Sequence, residues 1–182
     1  MRQQASTKKI EPENHLDEIQ AKWFAVYTKY KREKLIAKEL ERKGIECYLP
    51  IQKVLRQWGR KKKWVELPLL NCYVFVKITK PLYVKVREPE HVVQFVHFSR
   101  NIISIPDSEI DTLKKILQED VSIERVEGAY SVGDEVEIIA GNLLGLKGKL
   151  IQKQGKHNFL IEFDTIGYAF QLVINPKLLR KR

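Results

Sequence analysis

The chain changes rhythm once, and that change constrains what it can fold into. As far as Glu119, strand-like apolar runs alternate with stretches of helical period. Beyond Gly133, short strands separated by glycine-containing turns follow one another. Apolar residues in runs of strand length mark strands, and spacing at three and four marks a helix. A mixed segment followed by a purely stranded one predicts an α+β domain and then a small all-β barrel. The 182 residues suffice for two such units with modest cores.

In the first unit, Trp23-Phe24-Ala25-Val26-Tyr27-Thr28 predicts a strand. A helix follows over 31–43, with Leu35, Ile36, Ala37 and Leu40 on its apolar side and Gly44 as its stop. Residues 45–50 return to a strand. Strands over 51–58 and 64–67 form a hairpin whose loop is Gly59-Arg60-Lys61-Lys62-Lys63. Pro68-Leu69-Leu70-Asn71 breaks the run, 72–78 is the strongest buried-strand signal, and 92–98 is a further strand. Pro106-Asp107-Ser108-Glu109 opens a helix carried by Ile110, Leu113 and Leu117 to near Glu119. In the second unit, strands are expected over 135–139, 149–152, 158–163 and 169–174. Polar residues 1–21 read as a disordered lead and 120–130 as a linker, which leaves domains at 22–119 and 131–182.

Charge divides the chain the same way. The net charge is +10, yet residues 22–80 alone carry 12 Lys and 4 Arg against 5 Glu, so the remainder is close to neutral. This implies either a polyanion-facing surface on the first unit or a solvated lysine-rich face. No apolar run is long enough to span a bilayer and the first 20 residues lack a secretory apolar stretch, so a cytoplasmic location is expected. Cys47 and Cys72 are too few for a disulfide scaffold or a structural zinc site and read as buried thiols. His15, His91, His97 and His157 have no metal spacing, and no phosphate-binding or nucleophile motif is present. A Cys72–His97 nucleophile pair is disfavoured. Neither an enzyme nor a cofactor is expected.

Four motifs in order carry a resemblance. Trp23-Phe24 is followed by a helix with Glu33, Ala37 and Leu40. Next come Pro68-Leu69-Leu70-Asn71-Cys72-Tyr73-Val74-Phe75-Val76, then Val92-Val93-Gln94-Phe95-Val96 with Ile105-Pro106-Asp107-Ser108-Glu109-Ile110. The last is Gly133, Asp134, Val136, Ile138, Gly141, Gly145 and Gly148. Together they resemble the two-domain NusG family of transcription elongation factors, with an N-terminal (NGN) domain and a C-terminal KOW barrel. Asn71-Cys72 stands where the family shows Pro-Gly. Lys31-Arg32-Glu33-Lys34 replaces its usual helix start. With the Arg56-Gln57-Trp58 strand and the basic loop, these departures look more like the specialised antiterminator paralogues of RfaH and UpxY type.

Three sets of residues become candidates. Phe24, Tyr27, Leu70, Tyr73, Phe75, Phe95 and Phe98 form an aromatic patch, and the resemblance implies that it meets the clamp helices of the largest RNA polymerase subunit. Each also has a reading as core. Lys29, Lys31 and Arg32, with Arg60, Lys61, Lys62 and Lys63, suit non-template or upstream DNA. The flanking Trp58 and Trp64 either stack on an unpaired base or clamp the hairpin across its strands, and clamping is favoured. Leu143, Leu146 and Ile166 match the positions through which the barrel of the family meets a ribosomal small-subunit protein. The implied function is elongation and antitermination on selected operons. The alternatives are a housekeeping factor coupling polymerase to Rho or the ribosome, and a ribosome-associated KOW protein that binds RNA.

Overall fold

The computed structural model describes residues 13–97, 101–118, 123–126, 133–139, 143–153, 156–163, 168–173 and 178–181. The first unit runs β1 (Lys22–Thr28), α1 (Glu33–Arg42), β2 (Glu46–Tyr48), β3 (Ile51–Trp58), β4 (Lys61–Pro68), β5 (Tyr73–Ile78), a 3₁₀ turn (Lys80–Leu82), α2 (Tyr83–Arg87), β6 (Val92–Phe95) and α3 (Asp107–Gln118). Four strands pair antiparallel in the order β2-β5-β1-β6. The two central strands, β1 and β5, have the longest unbroken apolar runs of the unit, and the reason is burial on both faces. Phe24, Val26, Val74 and Val76 pack with Ile36 and Leu40 of α1 and Val86 of α2. Trp23, Ala25 and Phe75 belong instead to the cluster of Ile110, Leu113 and Ile116 from α3.

Local chemistry sets the helix ends. After α1, Gly44 takes φ +78, a conformation that costs other residues energy. The Gly44 N–H donates to Glu41 O and the Ile45 N–H to Leu40 O, the paired bonds of a Schellman ending. Pro106 precedes α3, and its carbonyl accepts the Glu109 N–H at 3.0 Å.

The second unit is a six-stranded antiparallel sheet of KOW type, β12-β8-β9-β10-β11-β7. Its strands are β7 (Ile123–Val126), β8 (Glu135–Ile138), β9 (Lys147–Lys153), β10 (Lys156–Phe163), β11 (Tyr168–Val173) and β12 (Leu179–Lys181). Val136, Ile138, Phe159, Ile161 and Leu172 fill its interior and join the same apolar cluster as the α3 side of the first unit. An α+β domain thus precedes an all-β one, in the order expected from the change of rhythm.

Three stretches differ from the sequence expectation. Residues 13–21, expected in a disordered lead, are tied down. The His15 N–H donates to Ile102 O and the Ile102 N–H to Glu13 O, while the Lys80 N–H donates to Asp17 O. The stretch expected as a linker contains β7, which pairs with β11 from Ala169↔Val126 to Leu172↔Ile123. Its few apolar residues gave no period to read, because pairing satisfies backbone groups whatever the side chains are. Lys61, Lys62 and Lys63 lie in β4 and not in the hairpin loop, which is only Gly59 and Arg60. A two-residue loop needs a positive φ, and Gly59 supplies it at +58.

Candidate functional site

Strand parity decides which aromatics reach solvent. Phe24 and Phe95 lie edge to face at 6.3 Å in the core shared with α1 and α2. Leu70 and Phe75 are fully buried in the cluster shared with α3. These four of the expected patch are therefore core: both sheet faces are covered by helices, whereas the patch required one open face. Phe98 lies outside the described residues. Tyr27 and Tyr73 remain. They are register partners at the ends of β1 and β5, their rings meet edge to face at 5.5 Å, and Tyr27 is 39% exposed. Tyr48, not among the sequence candidates, stacks on Phe75 at 6.3 Å under the Lys114 ammonium. Its signal was an aromatic in a short strand, but only the β2–β5 pairing places it beside Phe75.

The basic candidates divide into two groups. At the β1–α1 junction, Lys29 pairs with Glu90 at 3.7 Å and Lys31 lies over the Tyr30 ring at 5.2 Å. Arg32 stands at the start of α1, its N–H donating to Lys29 O. Tyr30, 63% exposed among these cations, is a second aromatic that patterning missed because it stands outside any strand or helix. The other group is the β3–β4 hairpin, a two-stranded ribbon that pairs with no third strand among the described residues. Residues 55–64 are exposed throughout. The register pairs Trp58 with Lys61 and Leu55 with Trp64. Directly opposed residues share a face and the next pair takes the other, so the two tryptophans project from opposite faces. The clamping expectation fails on this parity. Lys61 and Lys63 share the Trp58 face, while Lys62 goes with Trp64. At the hairpin base, the Lys34 ammonium of α1 meets Glu66 at 3.5 Å.

In the second unit, Leu143 is buried and Leu146 half-buried, so Leu143 is core and not surface. The turn that holds them is closed by the Gly145 N–H donating to Ile138 O and the Leu146 N–H to Leu143 O. Leu144 between them is 64% exposed and is the apolar side chain this turn displays. Ile166 lies outside the described residues.

Both cysteines are half-buried, less enclosed than expected. Burial, with Glu41 and Glu46 nearby, pushes the Cys47 thiol up to about 12, which keeps it protonated and unreactive at neutral pH. Among the described residues no group of three His, Cys, Asp or Glu is placed to hold a metal ion, and no helix is long and apolar enough to cross a membrane.

The family described as "Transcription termination factor nusG" matches residues 21–114, from the start of β1 into α3. The chain belongs to the NusG family. NusG proteins are transcription factors and not enzymes, and this chain takes an elongation-factor role at the level of that family. Among solved structures, "Domain interaction in Thermotoga maritima NusG" is similar at 23% identity and a TM-score of 0.53, covering 90% of this chain and 98% of that one. The MjSpt4:Spt5 complex in conformation B matches at 21% identity and a TM-score of 0.31, covering 87% of this chain and 95% of that one. No curated protein sequence matches the chain.

Proposed function

We propose that this NusG-family chain is a cytoplasmic elongation factor of the specialised, antiterminating kind, holding RNA polymerase by its clamp helices and suppressing pausing and termination on selected operons. The observation that carries this reading is the division of labour in the first unit. A tyrosine pair rims the sheet beside the α3 cluster, while a cation-rich hairpin is exposed along residues 55–64. Tyr27 and Tyr73 offer large rigid rings with polar tips, the chemistry suited to a partner helix. The hairpin cations suit the phosphates of DNA displaced beside a moving polymerase. On the second unit, Leu144 beside half-buried Leu146 makes a small apolar contact for a partner such as a ribosomal small-subunit protein.

A purified transcription assay with a terminator tests this. The wild-type chain should raise read-through and retain core polymerase in a pull-down. The Tyr27→Ala, Tyr73→Ala double variant should lose both. Neutralising Arg60, Lys61, Lys62 and Lys63 should lower read-through while the pull-down persists. Increased Rho-dependent termination by the wild-type chain would instead assign it the housekeeping role.

A further inference from the structure

We propose that Glu33 is a positioning residue for the polymerase contact: through its bond to Cys72 it holds the Tyr73 ring against Tyr27 in the arrangement the partner helix meets. This deepens the role proposed above and rests on it. Tyr27 and Tyr73 are the last pair of the β1–β5 ladder, with ring planes 83° apart. The ladder ends there, so register alone does not fix the Tyr73 side. A set of bonds around one carboxylate takes over. The Thr28 N–H donates to Cys72 O at 2.8 Å, and the Cys72 N–H donates to Glu33 Oε1 at 2.7 Å. Glu33 opens α1, which Ile36, Ala37 and Leu40 root in the core. The carboxylate thus passes the position of a buried helix to the residue before Tyr73. On the Tyr27 side, the Lys29 N–H donates to His91 O and the Arg32 N–H to Lys29 O, closing the turn that carries Tyr30.

Two observations go beyond stability. Among the described residues, only Lys31 and Cys72 take a positive φ without being glycine, at +60 and +66. One stands two positions before Glu33 and the other is its hydrogen-bond partner. Strained backbone gathers where a site must be held in one conformation. The second observation is the residue type at 72. Glycine would adopt that φ without strain, and the turn would then need no buried acid to hold it. A side chain narrows the conformations open to residue 72, and the Glu33 bond selects the strained one. The turn is therefore fixed before a partner arrives. Rings held in place beforehand lose little freedom on binding, which raises affinity without adding a contact.

Affinity for core RNA polymerase, measured on the full chain beside urea unfolding, separates positioning from stability. Because Glu33→Ala alone weakens the fold, the decisive variant combines it with Cys72→Gly, which removes the strain that the bond offsets. This double variant should unfold in the wild-type range of urea and still bind polymerase about tenfold more weakly, the cost of ordering a freed aromatic ring on binding. Glu33→Gln keeps an oxygen to accept the Cys72 N–H and should restore the affinity to within about twofold. Glu33→Met, similar in length but without that oxygen, should bind as weakly as the double variant and serves if the latter does not fold. In the free chain, the nuclear Overhauser contact between the Tyr27 and Tyr73 rings should be present in the wild type and in Glu33→Gln, and lost in the weakly binding variants. Wild-type affinity or an unchanged ring contact in a folded variant lacking the oxygen overturns the proposal. If Tyr27→Ala, Tyr73→Ala abolishes binding while those variants bind normally, the positioning role alone falls and the elongation reading stands.

Discussion

The Glu33 carboxylate accepts the backbone N–H of Cys72 at 2.7 Å, joining the first turn of α1 to a turn 39 positions away. Cys72 needs that hold. Its φ is +66, in the left-handed region that side chains other than glycine's occupy at a cost. Its carbonyl is also engaged, accepting the Thr28 N–H at 2.8 Å. The turn is thus fastened on both sides of a strained residue, at the position where the NusG pattern carries glycine. Glu33 is almost fully buried, unusual for a carboxylate, and this bond is what it does there.

Cys72→Gly should therefore stabilise the domain by about 1 kcal/mol, since relief of a strained φ outweighs the added freedom of the unfolded chain. Glu33→Ala should destabilise it by about 1–3 kcal/mol, leaving the strained N–H without its partner. Urea unfolding of the two variants checks both signs. A loss of stability in Cys72→Gly would mean that the turn does not strain its cysteine.

Core and surface aromatics should respond differently to truncation. Phe75→Ala and Leu70→Ala should each cost about 3–5 kcal/mol by opening cavities in the cluster shared with α3. Tyr27→Ala should cost only about 1 kcal/mol, the value of one edge-to-face ring contact. Polymerase retention measured beside thermal unfolding should then fall with intact folding for Tyr27→Ala and fall together with folding for Phe75→Ala.

Gly148 is fixed by space. A Cβ there would collide with the Leu160 carbonyl oxygen and stand 2.7 Å from the Phe159 ring. Gly148→Ala should cost about 2–3 kcal/mol through overpacking. Gly145→Ala meets open space and strains only φ, at +83, so about 1 kcal/mol is expected. Thermal unfolding followed by circular dichroism orders the two.

Cys47 makes a prediction in pH. Its thiol is held protonated up to about 12 in the fold, whereas the unfolded chain ionises it at its ordinary, lower value. Because the folded value is raised, its contribution to stability is complete below the unfolded value and is lost as pH rises from about 9 towards 12. Alkylation of Cys47 at pH 8 should be slow in the native protein and fast in urea. Rapid native labelling would contradict the burial that raises this thiol.

Much of the fold was legible because its central strands and helices carry strong patterns. Val74 and Val76, or Ile110 and Leu113, announce their partners by spacing alone. The site was less legible for two reasons. Whether Phe24 or Phe75 is core depends on α1 and α3 covering opposite sheet faces, which no local window contains. The split of Trp58 from Trp64 depends on a two-residue loop, and counting Lys61, Lys62 and Lys63 into that loop hides the parity. Strand β7 escaped because its residues show no apolar period, while its backbone pairs with β11.

That last strand also sets a leash. From Gln118 at the end of α3 to Ile123 at the start of β7, five peptide steps reach at most about 17 Å. While β7 stays paired with β11, the second sheet begins no farther than that from the end of α3. Were β7 to unzip, the tether would run on to Glu135 and pay out to about 60 Å. Four residues of backbone pairing thus set how much chain separates the end of α3 from the second sheet.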